Sequence, residues 1–595
     1  MRLSDYLINR LYDVGVNYIF QVTGRGSLFL NDAVAKHQLI KGISLHHEQS
    51  CAFAALSYAE QTGNIGACLV STGCASTNTL TGLLCAWQDG IPCIFISGQN
   101  ILKETTHFTG IPLRTYGQQE ADIVSIVKPI TKFAVMIKSA EEIEEVIEKA
   151  LSIAMSGRKG PVWIDIPLDL QSSFVSPKEL VEKNKIKISI HQKASEKDIE
   201  YIYKNLSQAK RPVLLIGSGV KSAGAKDVFE KFVEEWKIPV TFSSSASDCY
   251  GSGNPLSIGS VGSMGCSRAG NFTIQNSDLL IILGCRLTSL TTGIDFCSFA
   301  REAKIIVVDI DPYEHKKESI KIDKFIESDL LFLLNKLIKF KPINYLENWI
   351  NKTYHWKTLF SEIEEDFKSD TAVDLYHLSL ELSKILPSPS TVITDSGLAE
   401  VILPTNINFK KGIKCIHPSS QGSMGFALPA AIGSYFGNQN PTITIVGDGS
   451  IMMNLQELET IKYHNLPIKI IVINNNVYSI IRRRQKDLFR KRTIGTDPSN
   501  GVSCPNFSNV AECFGLAYMK VEHSKDLTSS LKNCLRNKNA TILEIVGKID
   551  QGYIEVAVGR NSITKRPIRR PLEDQSPFLS RELLRQEMII SPIEE

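Results

Sequence analysis

Short apolar runs rich in β-branched residues alternate along the chain with longer segments whose apolar positions recur at helical spacing. Residues 443–446, Ile-Thr-Ile-Val, read as a buried strand that Gly447-Asp448-Gly449 breaks. Ser450 then stands at the N-cap of an expected helix, because Ile451, Leu455, Leu458 and Ile461 follow at helical intervals. Asn465-Leu466-Pro467 closes that helix, and residues 468–473 form a second strand ending in Asn474-Asn475-Asn476. This βαβ pattern predicts two parallel strands with an acid and an amide cluster at their carboxyl ends, where open α/β sheets bind ligands.

The alternation recurs. Strands are expected near residues 18–22, 42–45, 67–70, 92–96 and 161–166, then 212–216, 278–283 and 304–309, and again at 391–394. The fold class is therefore α/β, with three doubly wound parallel-sheet domains over residues 1–170, 195–340 and 370–548. Residues 549–595 form a basic tail or lid, with Arg560, Lys565, Arg566, Arg569 and Arg570 in it. A Lys-rich stretch at about 171–195 and a mixed-charge stretch at about 340–370, holding Trp349 and Trp356, read as linkers. The helix expected after His46-His47-Glu48 carries Ala52, Ala54, Ala55 and Ala59, and small residues at that density demand close packing.

Length and charge narrow the classes. At 595 residues the chain is too long for one core. A net charge of +3 gives no reason to expect nucleic acid or an anionic membrane as partner. No apolar run approaches roughly 18 residues, so no membrane span is expected. The N-terminus enters an amphipathic helix without a signal-peptide core, which points to a cytoplasmic enzyme. The 13 cysteines include no C-x-x-C pair and read as free thiols.

The chemistry of the 446–478 stretch is that of a hard cation holding a phosphate. Asp448 offers a carboxylate oxygen, an asparagine an amide oxygen and the loop a carbonyl, the oxygen set that Mg²⁺ prefers. Glycines allow close backbone approach, and free N–H groups at a helix start take phosphate.

Taken whole, G-D-G-S, a helix and N-N-N resembles the thiamine diphosphate motif of the acetolactate synthase and pyruvate decarboxylase superfamily. The resemblance implies a first domain for the pyrimidine ring, a central domain and a third domain for the diphosphate and Mg²⁺. It implies Asp448, Asn475 and the Val477 carbonyl as metal ligands, with Gly447, Gly449, Ser450 and Tyr478 around the cofactor. The segment from His47 to Gly63 is similar to the family's activating-glutamate segment, so Glu48 would hydrogen-bond N1′ of the aminopyrimidine. Gly117-Gln118-Gln119-Glu120 is similar to the family's F-Q-E segment and places Gln119 against substrate, with Gln118 where phenylalanine is usual. Gly24 lies in a further turn of that site, near the glycine turn at Gly73. In Gln421-Gly422-Ser423-Met424, Gly422 would accept from the 4′-amino group and Met424 would wedge between the two rings.

Two departures bear on what the enzyme acts on. Gly284-Cys285-Arg286 matches the family's G-x-R turn, so Arg286 would contact FAD. The usual F-D-D-R-V-T-G continuation is here Leu287-Thr288-Ser289-Leu290-Thr291-Thr292-Gly293, which leaves FAD open. Arg484, within Arg482-Arg483-Arg484, stands where acetolactate synthases have tryptophan and suits an anionic acceptor. The implied reaction is decarboxylation of a 2-oxo acid donor, most simply pyruvate, with ligation of the two-carbon unit to a carbonyl acceptor. That acceptor is a second 2-oxo acid or a nucleotide-activated keto-sugar. A non-ligating decarboxylase or lyase, and a non-catalytic cofactor-binding protein, stand as the alternatives. The resemblance also implies a homodimer or homotetramer with active sites between subunits.

Overall fold

The structure, a computed structural model, describes residues 1–176, 186, 193–342, 346–560 and 567–593. Three six-stranded sheets organise it. The first contains β1 (Tyr18–Gln21), β2 (Lys41–Ser44), β3 (Gly66–Val70), β4 (Cys93–Gln99), β5 (Phe133–Met136) and β6 (Val162–Pro167), in the order β2-β1-β3-β4-β6-β5. The second contains β7 (Pro212–Ile216), β8 (Val240–Phe242), β9 (Ser257–Ser260), β10 (Leu279–Leu283), β11 (Lys304–Asp309) and β12 (Lys324–Glu327), in the order β12-β11-β10-β7-β8-β9. The third contains β13 (Ser390–Thr394), β14 (Ile413–Ile416), β15 (Thr442–Gly447), β16 (Lys469–Asn474), β17 (Ala517–Val521) and β18 (Thr541–Val546), in the order β14-β13-β15-β16-β18-β17.

Every pairing in these sheets is parallel. Parallel strands are covered by helices on both faces, which is why β3, β4, β10 and β13 are buried at every residue rather than at alternate ones. The strand order reverses between β1 and β3, between β7 and β10, and between β13 and β15. Each reversal opens a crevice at the carboxyl edge of its sheet.

The first and third sheets meet through two helices, Glu48–Thr62 and Ala427–Asn438, within one apolar core. A Cβ on Gly433 would stand 2.0 Å from the Ala54 carbonyl oxygen, so the backbones touch there. The Ser57 hydroxyl donates to the Ala430 carbonyl at 2.7 Å across the same contact. The close packing expected of the alanine-rich helix is thus met by a second small-residue helix.

Two readings of the connections need correction. The stretch at 340–370 is no open linker: it forms the helix Glu347–Leu359, whose Trp349 and Trp356 are buried against the central sheet. The tail, read from its charge as a lid or a solvated end, docks on the central domain over its described part. Leu572, Glu573, Asp574 and Gln575 are buried, and Glu573 accepts from Gln275 at 2.6 Å and from Arg301 at 2.9 Å. Charge alone misreads it because the tail carries its own acids: Asp574 pairs with Arg581 at 2.7 Å, and Glu573 and Glu587 meet Arg301 and Lys352 of the dock. Lys565 and Arg566, and most of the stretch at 171–195, lie outside the described residues. No helix among the described residues is long and apolar enough to cross a membrane.

Candidate functional site

At the third sheet's reversal, Gly447 at the end of β15 pairs in register with Ile473 of β16, so the G-D-G turn and the asparagine run emerge side by side. Asp448 is 3% exposed. Its Oδ1 accepts from the Gly449 N–H at 2.7 Å, and its Oδ2 accepts from the N–H groups of Asn475 at 3.1 Å and Asn476 at 2.5 Å. Burial still lifts its pKa above the usual carboxylate range, against the pull of those N–H groups. No cationic side chain pairs with it among the described residues. A cation would complete the surroundings of such a carboxylate.

Asn475 is held by the Ser479 hydroxyl, which accepts from its Nδ2 at 2.7 Å, while its Oδ1 accepts from the Val477 N–H at 3.2 Å. A cavity of about 300 Å³ opens beside these groups, lined by Asp448, Asn475, Val477, Tyr478 and Met424 among others. Gly447, Gly449 and Ser450 line it too. A Cβ on Gly447 would meet no atom within 4 Å and would take up cavity space, whereas one on Gly449 would strike the Tyr478 ring at 1.9 Å. A carboxylate, an amide oxygen and a main-chain carbonyl at two strand ends fit Mg²⁺ and a diphosphate, and the glycines leave the room. Among the described residues no group of three or more His, Cys, Asp and Glu side chains forms a metal site by itself.

The helix expected from Ser450 onward starts later. Ile451–Met453 is a 3₁₀ turn and the α-helix runs only over Glu457–Tyr463. Ser450 makes no capping bond; it pairs with Asp395 instead. The interruption has a cause in Asn454, whose Nδ2 donates to the Gly425 carbonyl at 2.8 Å and to Gln49 Oε1 at 3.1 Å, and whose Oδ1 accepts from the Ser50 hydroxyl at 3.0 Å. Helical phase gives way to a bond between domains.

Asp395, which sequence reasoning passed over as part of a strand and turn, organises the facing loop. It is fully buried at the end of β13; its Oδ1 accepts from Ser396 N–H at 2.8 Å and Gly425 N–H at 3.2 Å, and its Oδ2 from Ala427 N–H at 2.8 Å. Burial raises its pKa to about 6. Gly425 takes φ +80 and a Cβ there would meet Met453 Cβ at 2.5 Å. Met424, beside it, faces the cavity, and Gly422 at φ +54 lies against Glu400, another cavity residue. An aspartate one residue past a strand and two before a glycine was the only sequence signal.

Glu48, Gly24 and Gln119 are not among the residues of this cavity. They gather instead at the first sheet's reversal. Glu48 Oε2 accepts from Asn78 Nδ2 at 2.9 Å, with Glu48 half-buried at the start of its helix. A Cβ on Gly24 would strike Ser71 at 2.5 Å, and one on Gly73 would strike the Gln119 carbonyl oxygen at 1.9 Å. Gln119 takes φ +59, a strained conformation for a side-chain-bearing residue. Phe108, Ile111, Leu113 and Tyr116, in the segment that leads to Gln119, are exposed.

Arg286 lies in neither cluster. It lines a separate cavity of about 290 Å³ at the central sheet's reversal, with Gly217, Gly219, Gly284, Asp309 and Arg158. The glycine turns interlock there: a Cβ on Gly217 would meet the Gly284 carbonyl oxygen at 2.2 Å. Two guanidinium groups and a strand-end carboxylate beside glycine turns fit the phosphates and ribose of a nucleotide.

Arg484 sits on the helix Ser479–Leu488, one turn beyond Ile480 and Ile481 of the cofactor cavity. Its neighbours are engaged. Arg482 pairs with Asp497 at 3.1 Å and Asp550 at 2.6 Å, and Arg483 pairs with Glu555 and covers the Tyr553 ring. Arg484 is exposed, and its Nη2 lies 3.9 Å from Met264 Sδ.

Three sheet reversals, with glycine turns at each and a hard-oxygen set at one, define a cofactor-dependent α/β enzyme. Family models of thiamine pyrophosphate enzymes match the chain in order: the N-terminal TPP binding domain over residues 1–126, the central domain over 199–337 and the C-terminal TPP binding domain over 395–545. The large subunit of acetolactate synthase isozyme 2 from Escherichia coli (strain K12) is 30% identical over 553 residues, covering 92% of this chain and 95% of that protein. The acetolactate synthase large subunit of Cyanidium caldarium is 32% identical over 573 residues (93% and 95%), and that of Lactococcus lactis 28% over 572 (94% and 95%). The chain belongs to the acetolactate synthase-like family of thiamine pyrophosphate enzymes. It is a thiamine diphosphate-dependent enzyme of the carboligase/decarboxylase class.

Proposed function

We propose that this enzyme decarboxylates pyruvate and joins the two-carbon unit to an anionic carbonyl acceptor. Relatives named acetolactate synthase support the donor half of this reading. Bound thiamine diphosphate supplies an electron sink for the pair left behind when CO₂ departs. Asp448, Asn475 and the Val477 carbonyl would hold Mg²⁺, and Gly447, Gly449, Ser450 and Tyr478 would enclose the diphosphate side. Gly422 would accept from the 4′-amino group and Met424 would support the rings. Glu48 of one subunit, aided by Gly24 and Gln119, completes the site of another by holding the proton at the pyrimidine N1′. The separation of the two clusters in one chain, and the exposed apolar residues in the segment before Gln119, support a homodimer or a homotetramer built from it. Arg286 and the central cavity would take FAD through its nucleotide half.

The observation that carries the acceptor assignment is Arg484: of three consecutive arginines it is the one that pairs with no acid among the described residues. Exposed Leu290 lies near the same Met264 loop, since the Leu290 carbonyl accepts from the Ser263 N–H at 2.7 Å. A cation beside an apolar wall suits an acceptor with a phosphate at one end, such as a nucleotide-activated keto-sugar, better than a small second 2-oxo acid. The test is incubation with thiamine diphosphate, Mg²⁺, pyruvate and candidate acceptors, with products read by mass spectrometry. A ligated, phosphate-bearing product is expected; acetaldehyde alone would refute ligation. Arg484→Ala should raise KM for the phosphorylated acceptor about tenfold and leave pyruvate KM unchanged.

A further inference from the structure

The helix Leu80–Asp89 ends where all three domains meet, with Gly90 at φ +70 closing it. The last turn of a helix leaves carbonyls without helical partners. Here the Gln88 carbonyl accepts from Arg158 at 2.9 Å and from Arg286 at 3.1 Å, both residues of the central cavity. On its other side the same turn grips the loop that leads to Met424. Asp89 Oδ1 accepts from the Ser419 hydroxyl at 2.8 Å and from the Ser420 hydroxyl, and Gln88 Oε1 accepts from Gln421 Nε2 at 2.7 Å. One turn earlier, Cys85 Sγ lies 3.2 Å from Ser423 Oγ.

These contacts fall on both sides of Gly422 and reach the residue before Met424. Gly422 sits at φ +54, and a glycine peptide in that region turns over easily unless its flanks are fixed. A carboxylate in the last turn of a helix also works against the helix dipole, so helix stability does not account for Asp89. Its two hydroxyl donors do.

We propose that Asp89 is a positioning residue for the cofactor. It fixes the loop from Ser419 to Met424, so that the Gly422 carbonyl and Met424 present themselves to the cofactor cavity, and through Gln88 it ties that loop to the arginines of the central cavity. The inference rests on the reading of the cavity at Asp448 as the thiamine diphosphate site.

The test is calorimetric titration of thiamine diphosphate at saturating Mg²⁺ into the wild type, Asp89→Ala, Asp89→Asn, the double variant Ser419→Ala/Ser420→Ala and the corresponding triple variant with Asp89→Ala. Asp89→Ala and the serine double variant should each raise Kd about tenfold, because each removes the same two charge-assisted bonds. The triple variant should bind no more weakly than Asp89→Ala. Asp89→Asn should stay within about twofold of wild type, since its amide oxygen still accepts both hydroxyls. A merely structural role would lower the unfolding midpoint without this coupling and rescue. Wild-type Kd in Asp89→Ala, or additive losses in the triple variant, would overturn the proposal; if Asp89→Ala does not fold, the serine double variant decides by the same Kd criterion. A wild-type protein that binds no thiamine diphosphate would instead overturn the cofactor assignment.

Discussion

Asp448 and Asp395 are two buried carboxylates at the ends of neighbouring strands, and their surroundings give them different work. Asp448 accepts three N–H groups beside an amide oxygen and lines the cavity, the surroundings of the proposed Mg²⁺ ligand. Asp448→Ala is expected to weaken Mg²⁺-dependent thiamine diphosphate binding on the order of a hundredfold, measured by calorimetry, because it removes a buried charge partner. Asp395 has no such opening and titrates near about 6 rather than 3.8. With its folded pKa raised, the native chain keeps a proton that the unfolded chain has already released. Its contribution to stability is therefore fully present below pH 3.8 and is lost as pH rises through about 6. Urea unfolding should accordingly show a steeper loss of stability between pH 5 and 7 in the wild type than in Asp395→Asn, about 1 kcal/mol in difference. Asp448 was legible because G-D-G followed by a helix and N-N-N is a pattern. Asp395 was not, because an aspartate at a strand end looks like any turn residue until the loop it holds is folded back on it.

Between elements, the helices Glu48–Thr62 and Ala427–Asn438 set how the first and third sheets lie together. Their contact is made by alanines and Gly433, with no room for another methyl group. Gly433→Ala should cost about 3 kcal/mol, read as a lowered denaturant midpoint, since the Ala54 carbonyl is backbone and cannot swing away. The alanine spacing told of close packing but not of its partner. The helix after Gly449 shows the opposite limit: apolar spacing over 451–461 favoured one continuous helix, and Asn454 broke it by bonding to Gln49, Ser50 and Gly425. Periodicity records which faces are buried. It does not record a polar side chain recruited by another domain.

Across the whole molecule, the two clusters assigned to one cofactor lie at separate sheet reversals of the same chain. If two subunits complete each site, mixing Glu48→Gln with Asp448→Ala after dissociation and reassociation should restore activity to roughly a quarter of wild type, as random pairing of a two-fold dimer dictates. Recovery of none would place both clusters of a site in one chain. What the amino-acid sequence determined by itself was the run of βαβ units and the family they belong to, because strands, turns and motifs are local. Only the tertiary structure decided that Trp349 and Trp356 belong to the central core, that the basic tail docks there, and that Asp89 and Asp395 grip the loop carrying Gly422 and Met424. Those facts depend on which distant backbone groups burial leaves without water, and that is settled only when the three sheets close upon one another.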